Sequence, residues 1–212
     1  MNARPTGLYR MKPAAQRLVR PLVEASLSRG VSADVLTLAA VPVAALGGLC
    51  LALSDSAPVL LLLVPFLAAL RLILNLVDGQ VARQAGTTHP MGEVLNELGD
   101  RIADVLFIGG LAFVPEVGPL LALSAAIAAL LASYVGITSR AVGASRQYGG
   151  LMSKPGRMMA LAVAAPLAFV LAAAWPLVVA AWLILVGSLL TLVQRILATR
   201  SAIEGGPGGE SI

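Results

Sequence analysis

A single cysteine, Cys50, and a single histidine, His89, stand among 212 residues. One cysteine excludes an intrachain disulfide framework and a cysteine-built metal knuckle. Cys50 lies in an apolar run and reads as an inert buried thiol. Aromatic residues make up only 4% of the chain and charged residues only 12%, where soluble domains carry roughly 25% charge. Leucine, alanine and valine fill the space instead: 58% of residues are hydrophobic and the mean hydropathy is +0.88. A chain of this length cannot bury so much apolar surface in one water-soluble core. The composition is that of a membrane protein. The first residues lack the short apolar stretch and small-residue cleavage site of a signal peptide, so no segment is expected to be removed.

A spanning helix needs about 20 mostly apolar residues. Six stretches meet that length or come near it: 31–53, 58–77, 98–114, 119–137, 158–174 and 176–197. The expected fold is an all-α, six-helix polytopic membrane domain covering residues 1–212, with no repeat and no second domain. The third stretch is short and interrupted by carboxylates, so its first turns are expected to stand in water or line a cavity. The fifteen Lys and Arg residues avoid the three short loops of one side, which hold Asp55 and Glu116. By the positive-inside rule both termini and the two long loops are cytoplasmic, in what we expect to be a bacterial cytoplasmic membrane. From Leu8 to Leu27, the residues Leu8, Met11, Ala15, Leu18 and Leu22 share one helical face while Arg10, Arg17 and Arg20 lie elsewhere. This pattern predicts an amphipathic helix on the membrane surface, with a disordered basic tail as the alternative. Residues 1–7 and 204–212 are expected to be flexible. The pI near 9.8 is then a membrane signal, and no nucleic-acid partner is expected.

Ionisable residues in or beside spans are costly and mark function by default. At about 100° per residue, Arg71, Asn75 and Asp78 fall within roughly 60° on the second helix. On the third, Glu93, Asn96, Glu97, Asp100 and Asp104 span an arc of about 100°. Two such faces joined by a tight loop can converge on a hard divalent cation, Mg²⁺ or Mn²⁺, held by carboxylate and amide oxygens. The plainer alternative is a helix ending at Asp78-Gly79, with acidic residues solvating the next helix start.

These residues resemble the signature of the CDP-alcohol phosphatidyltransferase family, D-x-x-D-G-x-x-A-R, about eight residues, then G-x-x-x-D-x-x-x-D. Asn75, Asp78, Gly79, Ala82 and Arg83 fit the first half; eight residues later Gly92, Asn96 and Asp100 fit the second. Asn75 and Asn96 depart from the pattern, standing where it has its first and third aspartates. The resemblance implies attack of an acceptor hydroxyl on a CDP-linked lipid of the CDP-diacylglycerol type, expelling CMP. It implies Asn75, Asp78, Asn96 and Asp100 as ligands of Mg²⁺ or Mn²⁺, and Asp100 also as the catalytic base. Thr37, Gly79, Ala82, Arg83 and Gly92 would hold the CDP-lipid, with Arg83 forking onto its diphosphate. Thr37 at a helix start is equally a simple cap.

Between the fourth and fifth spans, Arg140, Arg146, Lys154 and Arg157 lie on the side of the acidic cluster. They are candidates for an acceptor phosphate, with plain positive-inside topology as the alternative. His89 reads as a solvated loop residue. Gly47-Gly48 and Gly109-Gly110 permit close helix approach and are candidate contacts of the homodimer that the resemblance implies. A catalytically silent lipid- or nucleotide-binding relative is the competing reading, and a small transporter a more distant one. The transporter needs polar residues through the membrane depth, whereas these gather at one end.

Overall fold

The computed structural model describes residues 12–204, all of whose regular elements are helical. Two short helices, α1 (Lys12–Leu18) and α2 (Arg20–Ser28), precede six long ones. These are α3 (Ala33–Ala52), α4 (Val64–Gln84), α5 (Pro90–Gly110), α6 (Gly118–Thr138), α7 (Lys154–Leu171) and α8 (Trp175–Glu204). Single 3-10 turns, Pro58–Leu62 and Leu111–Phe113, lead into α4 and out of α5. Five of the long helices, counting 58–84 as one, are long and apolar enough to cross a membrane. The exception, α5, has the length but carries Glu93, Glu97, Asp100, Arg101 and Asp104. The protein is an all-α polytopic membrane protein.

The six helices close into a ring in the order α3, α5, α6, α8, α7, α4. Small side chains line its interior: Ala44, Ala103, Ala125, Ala129, Ala165 and Ala181 are fully buried. Leu120, Phe66, Val170 and Trp182 point outward. Lipid is as apolar as leucine, so helix association depends on close packing of small residues rather than on hiding large ones. The tightest approach is α3 on α5. A Cβ on Gly48 would meet the Leu106 carbonyl oxygen at 2.1 Å, and one on Gly110 would meet that of Gly48 at 2.2 Å. Gly47, Gly48 and Gly110 are therefore consumed within the chain and are not free to contact a second copy; Gly109 faces open space.

Several boundaries differ from the hydropathy reading. The amphipathic segment is two helices, broken at Val19 ahead of Pro21. Val19 and Val23 pack on Val77 and Val81 of α4, while Leu18 and Leu22 stay exposed, as a lipid-facing stripe requires. Leu8, Met11 and the expected flexible ends 1–7 and 205–212 lie outside the described residues; Glu204 still belongs to α8. Helix α4 runs past Asp78-Gly79 to Gln84, which overturns the helix-end alternative at that pair. Helix α7 begins at Lys154, so Lys154 and Arg157 sit on its first turn and not in the loop.

Candidate active site

The polar faces of α4 and α5 meet at the end of the ring where α3, α5 and α7 begin and α4, α6 and α8 finish. Both helices pack on α3, whose Thr37 donates its hydroxyl to Asp78 Oδ2 at 2.8 Å inside the protein. Asp78 is 2% exposed, and its Oδ1 finds no hydrogen-bond partner among the described residues. One turn earlier, Asn75 Nδ2 donates to Asn96 Oδ1 at 3.2 Å and to Asp100 Oδ1 at 3.1 Å, tying α4 to α5. Asp100 Oδ1 also accepts from Arg71 Nη2 at 2.9 Å and from Lys154 Nζ. Arg71 is 1% exposed. Asp100 thus gathers α4, α5 and α7 on one oxygen.

Charge pairs surround this centre. Asp104 and Arg157, both essentially buried, pair at 2.6 Å, and Arg157 Nη1 donates to the Met152 carbonyl at 3.1 Å. Arg146 pairs with Glu97 and lies 4.7 Å from the Tyr148 ring. Arg140 pairs with Glu93 nearer the surface. Arg195, on α8, donates to the carbonyls of Ala132 and Gly149 at 2.6 and 2.9 Å, pinning the 139–153 loop between α6 and α8.

Three cavities open here. One of ≈ 480 Å³ is lined by Thr37, Asp78, Gly79, Ala82, Arg83, Gly92 and Asn96, among others. A second, of ≈ 380 Å³, shares Gly79, Arg83, Asn96 and Tyr148 with it and adds Asn75, Asp100, Arg146 and Lys154. The third, of ≈ 40 Å³, is walled by Asp100, Arg101, Arg146, Lys154, Arg157 and Arg195. Arg83 is exposed on the boundary of the two large cavities and lies across Gly79, where a Cβ would stand 3.4 Å from its Nη1. Glycine leaves the floor open there.

The structure therefore brings together Thr37, Asn75, Asp78, Gly79, Ala82, Arg83, Gly92, Asn96, Asp100, Arg146, Lys154 and Arg157. It does not bring Arg140, which pairs with Glu93 and lines none of these cavities. Lys154 turns to Asp100, and Arg157 is held by Asp104 and a backbone carbonyl; neither is the loose loop cation that the sequence suggested. His89 is an exposed loop residue, as expected, and also has a structural contact. It caps α5, accepting from Gly92 N at 3.0 Å, and its other ring nitrogen lies 3.3 Å from Asp34. Sequence reading placed Arg71 on the polar face but gave it no role, and did not single out Arg195 within the stretch 176–197. The signal for both was available: an arginine within an apolar helix is costly unless a specific partner holds it.

The chain matches the CDP-alcohol phosphatidyltransferase family over residues 31–194. It is 33% identical over 152 residues to an inner membrane protein of Escherichia coli, YnbA, covering 72% of this chain and 75% of that one. It is 34% identical over 154 residues to the archaetidylinositol phosphate synthase of Aeropyrum pernix, covering 72% and 76%. In fold it is similar to the phosphatidylinositol phosphate synthase PgsA1 of Mycobacterium tuberculosis. The structure of that enzyme with CDP-DAG bound superposes with a TM-score of 0.73 at 24% identity, over 92% of this chain and 98% of that one. Its complex with manganese and citrate gives the same TM-score and identity, over 91% of both chains. On sequence match, fold and the Asp78–Arg83 and Gly92–Asp100 constellation together, the chain belongs to the CDP-alcohol phosphatidyltransferase family, membrane enzymes of phospholipid synthesis that transfer a substituted phosphate group from a CDP-linked alcohol and release CMP.

Proposed function

We propose that this enzyme transfers the phosphatidyl group of a CDP-diacylglycerol-type lipid to an acceptor alcohol that carries a phosphate, at the cytoplasmic end of a six-span bundle in a bacterial cytoplasmic membrane. The observation that carries this reading is the convergence of both signature halves, from α4 and α5, on two adjoining cavities beside a third walled by cations. In this reading α5 is the sixth crossing: its carboxylates face the cavities and so escape the lipid. The relatives' names support a phosphorylated acceptor, and so do Arg146, Lys154 and Arg157 around the small cavity. Assembly as a homodimer is part of the proposal, through lipid-facing surface other than the consumed glycines.

The oxygen set suits a hard divalent cation, Mg²⁺ or Mn²⁺: Asp78 Oδ1 is a buried acceptor without a partner, flanked by the Asn75 and Asn96 amides and the Asp100 carboxylate. Such an ion, when bound, neutralises the diphosphate and eases departure of CMP. The side chains do the rest. Arg83 pairs with the diphosphate at the cavity boundary, where Gly79 and Ala82 let the nucleotide approach the backbone. Thr37 holds Asp78 in place by its hydroxyl. Arg146 and Lys154 orient the acceptor phosphate. Asp100 takes the proton of the attacking hydroxyl, whose oxygen bonds to phosphorus as the bond to the CMP oxygen breaks.

The direct test is release of CMP from CDP-diacylglycerol by the purified protein with Mg²⁺ or Mn²⁺ and phosphorylated polyols such as inositol or glycerol phosphate. No release with any acceptor, by folded protein, overturns the reading and favours a silent relative. Arg83→Lys is expected to weaken CDP-lipid binding despite the kept charge, because the forked geometry is lost. Arg83→Ala removes a charge-assisted hydrogen bond worth about 1.5–3 kcal/mol, a loss of roughly tenfold or more in affinity. Equal affinity in Arg83→Ala, measured by equilibrium binding, rejects the role. For topology, single cysteines at Ser56 or Glu116, in a Cys50→Ser background, are expected to label only from outside the cell. Labelling of either from the cytoplasmic face reverses the orientation.

A further inference from the structure

The site carries its own charge balance. Its two carboxylates, the buried Asp78 and the partly buried Asp100, are matched by two buried cations, Arg71 and Lys154, and both cations are within reach of Asp100. The outer groups do not tip the sum toward negative: Glu97 faces both Arg146 and Arg101, and Arg101 lies 3.6 Å from Asp100 Oδ2. Among the described residues no three His, Cys, Asp or Glu side chains converge as a metal-holding group. The two asparagines supply oxygens but no charge, and Asn75 turns its Nδ2 donor toward Asp100. Three carboxylate oxygens of the cluster have no hydrogen-bond partner among the described residues. Glu97 Oε2 lies 3.9 Å from Arg101 Nη2, and Asp104, which carries the second as its Oδ1, lines none of the three cavities. Asp78 Oδ1 belongs to a residue, only 2% exposed, that lines the largest of them.

A divalent pair in this centre would add four positive charges to a set that is already neutral. With Asp78 buried and Asp100 only partly exposed to the cavities, such an excess is unfavourable. One divalent ion accompanied by a diphosphate of two negative charges leaves the balance unchanged. From this we infer that the enzyme binds one divalent cation, not two. It is held at Asp78 Oδ1 and enters together with the substrate diphosphate, while the Lys154 ammonium on Asp100 serves as the second positive charge of the centre. The inference rests on the proposed CDP-lipid chemistry and deepens it. Arg71 and Lys154 are then parts of the electrostatic machinery and not merely ties between helices.

The test is a manganese titration of the full-length protein in lipid nanodiscs without acceptor, read by electron paramagnetic resonance of free and bound ion. With CDP-diacylglycerol present, one Mn²⁺ per chain is expected, with the spectrum of an isolated ion. Without it, affinity is expected to fall by about tenfold or more, and the coupling is reciprocal, so Mn²⁺ must tighten the CDP-lipid by the same factor. Lys154→Gln, which removes a positive charge, is expected to strengthen Mn²⁺ binding in the absence of lipid by about tenfold or more. The Asn75→Asp/Asn96→Asp double variant adds two negative charges, giving up the Asn75 Nδ2 hydrogen bonds to Asn96 and Asp100, and is expected to take up a second, spin-coupled ion whose coordination ties α4 to α5 in their place. Two Mn²⁺ per chain in the unmodified enzyme, equal affinity with and without CDP-lipid, or one ion in the double variant overturns the inference while leaving the transferase reading intact. No Mn²⁺ binding under any condition overturns both the inference and the proposed metal chemistry.

Discussion

Replacing Asp100 with asparagine is expected to lower CMP release by about 10²–10⁴-fold, the range that a positioned general base contributes. The substitution keeps the shape of the side chain and an oxygen for Arg71 Nη2, Asn75 Nδ2 and Lys154 Nζ. It removes the charge that draws those three groups together and the site's proton acceptor. Arg71 and Lys154 then remain buried against a neutral amide, which costs stability as well as rate, since removing one partner of a buried pair typically costs about 3–5 kcal/mol. The two effects separate by experiment. Unfolding is followed in detergent or nanodiscs, and CMP release is measured on protein that is still monodisperse. Adding Lys154→Gln to Asp100→Asn is expected to recover stability and not activity. Full turnover by folded Asp100→Asn would remove Asp100 from the chemistry.

The second large effect lies one turn deeper. Asp104→Leu strands Arg157, 2% exposed, without its carboxylate, and is expected to destabilise the protein by about 3–5 kcal/mol. Arg157→Met is expected to do the same from the other side. Combining them places two apolar side chains face to face, and such replacements of buried pairs are often neutral. The double variant is therefore expected to regain most of the lost stability, as measured by thermal unfolding. Its activity is expected to stay low, because Arg157 Nη1 also anchors the Met152 carbonyl at the end of the 139–153 loop. Recovery of both stability and activity would make the pair a structural tie with no part in shaping the acceptor cavity. A single variant as stable as the unmodified protein would mean that water reaches the pair.

The sequence carried the membrane class, because hydropathy is a sum over residues and needs no contacts. Five of the six expected spans were legible in the same way, because a length of about 20 apolar residues is set by bilayer thickness; α5 falls short of that criterion by virtue of its own carboxylates. The sequence carried the constellation of Asn75, Asp78, Gly79, Ala82, Arg83, Gly92, Asn96 and Asp100 as well. These lie within two adjacent helices, where a fixed rise and a turn of about 100° per residue convert spacing directly into direction. Helix ends were less legible. Past Asp78-Gly79 the chain turns polar and hydropathy stops, yet packing of Val77 and Val81 against Val19 and Val23 holds α4 helical to Gln84.

What the linear pattern could not contain is which charge meets which. Lys154 and Arg157 stand only three residues apart, yet one reaches Asp100 and the other Asp104, because α7 packs beside α4 and presents its first turn to successive turns of α5. Arg195 lies 46 and 63 residues from the Gly149 and Ala132 carbonyls it holds, and His89 caps the start of α5 while its other ring nitrogen meets an aspartate on α3. Arg71 was visible as a cost and became legible as a partner only when Asp100 was found 2.9 Å away. Periodicity assigns each residue to a face of its own helix. The order in which six helices close their ring decides what that face confronts, and in this protein that order turns two carboxylates and two cations into a neutral centre.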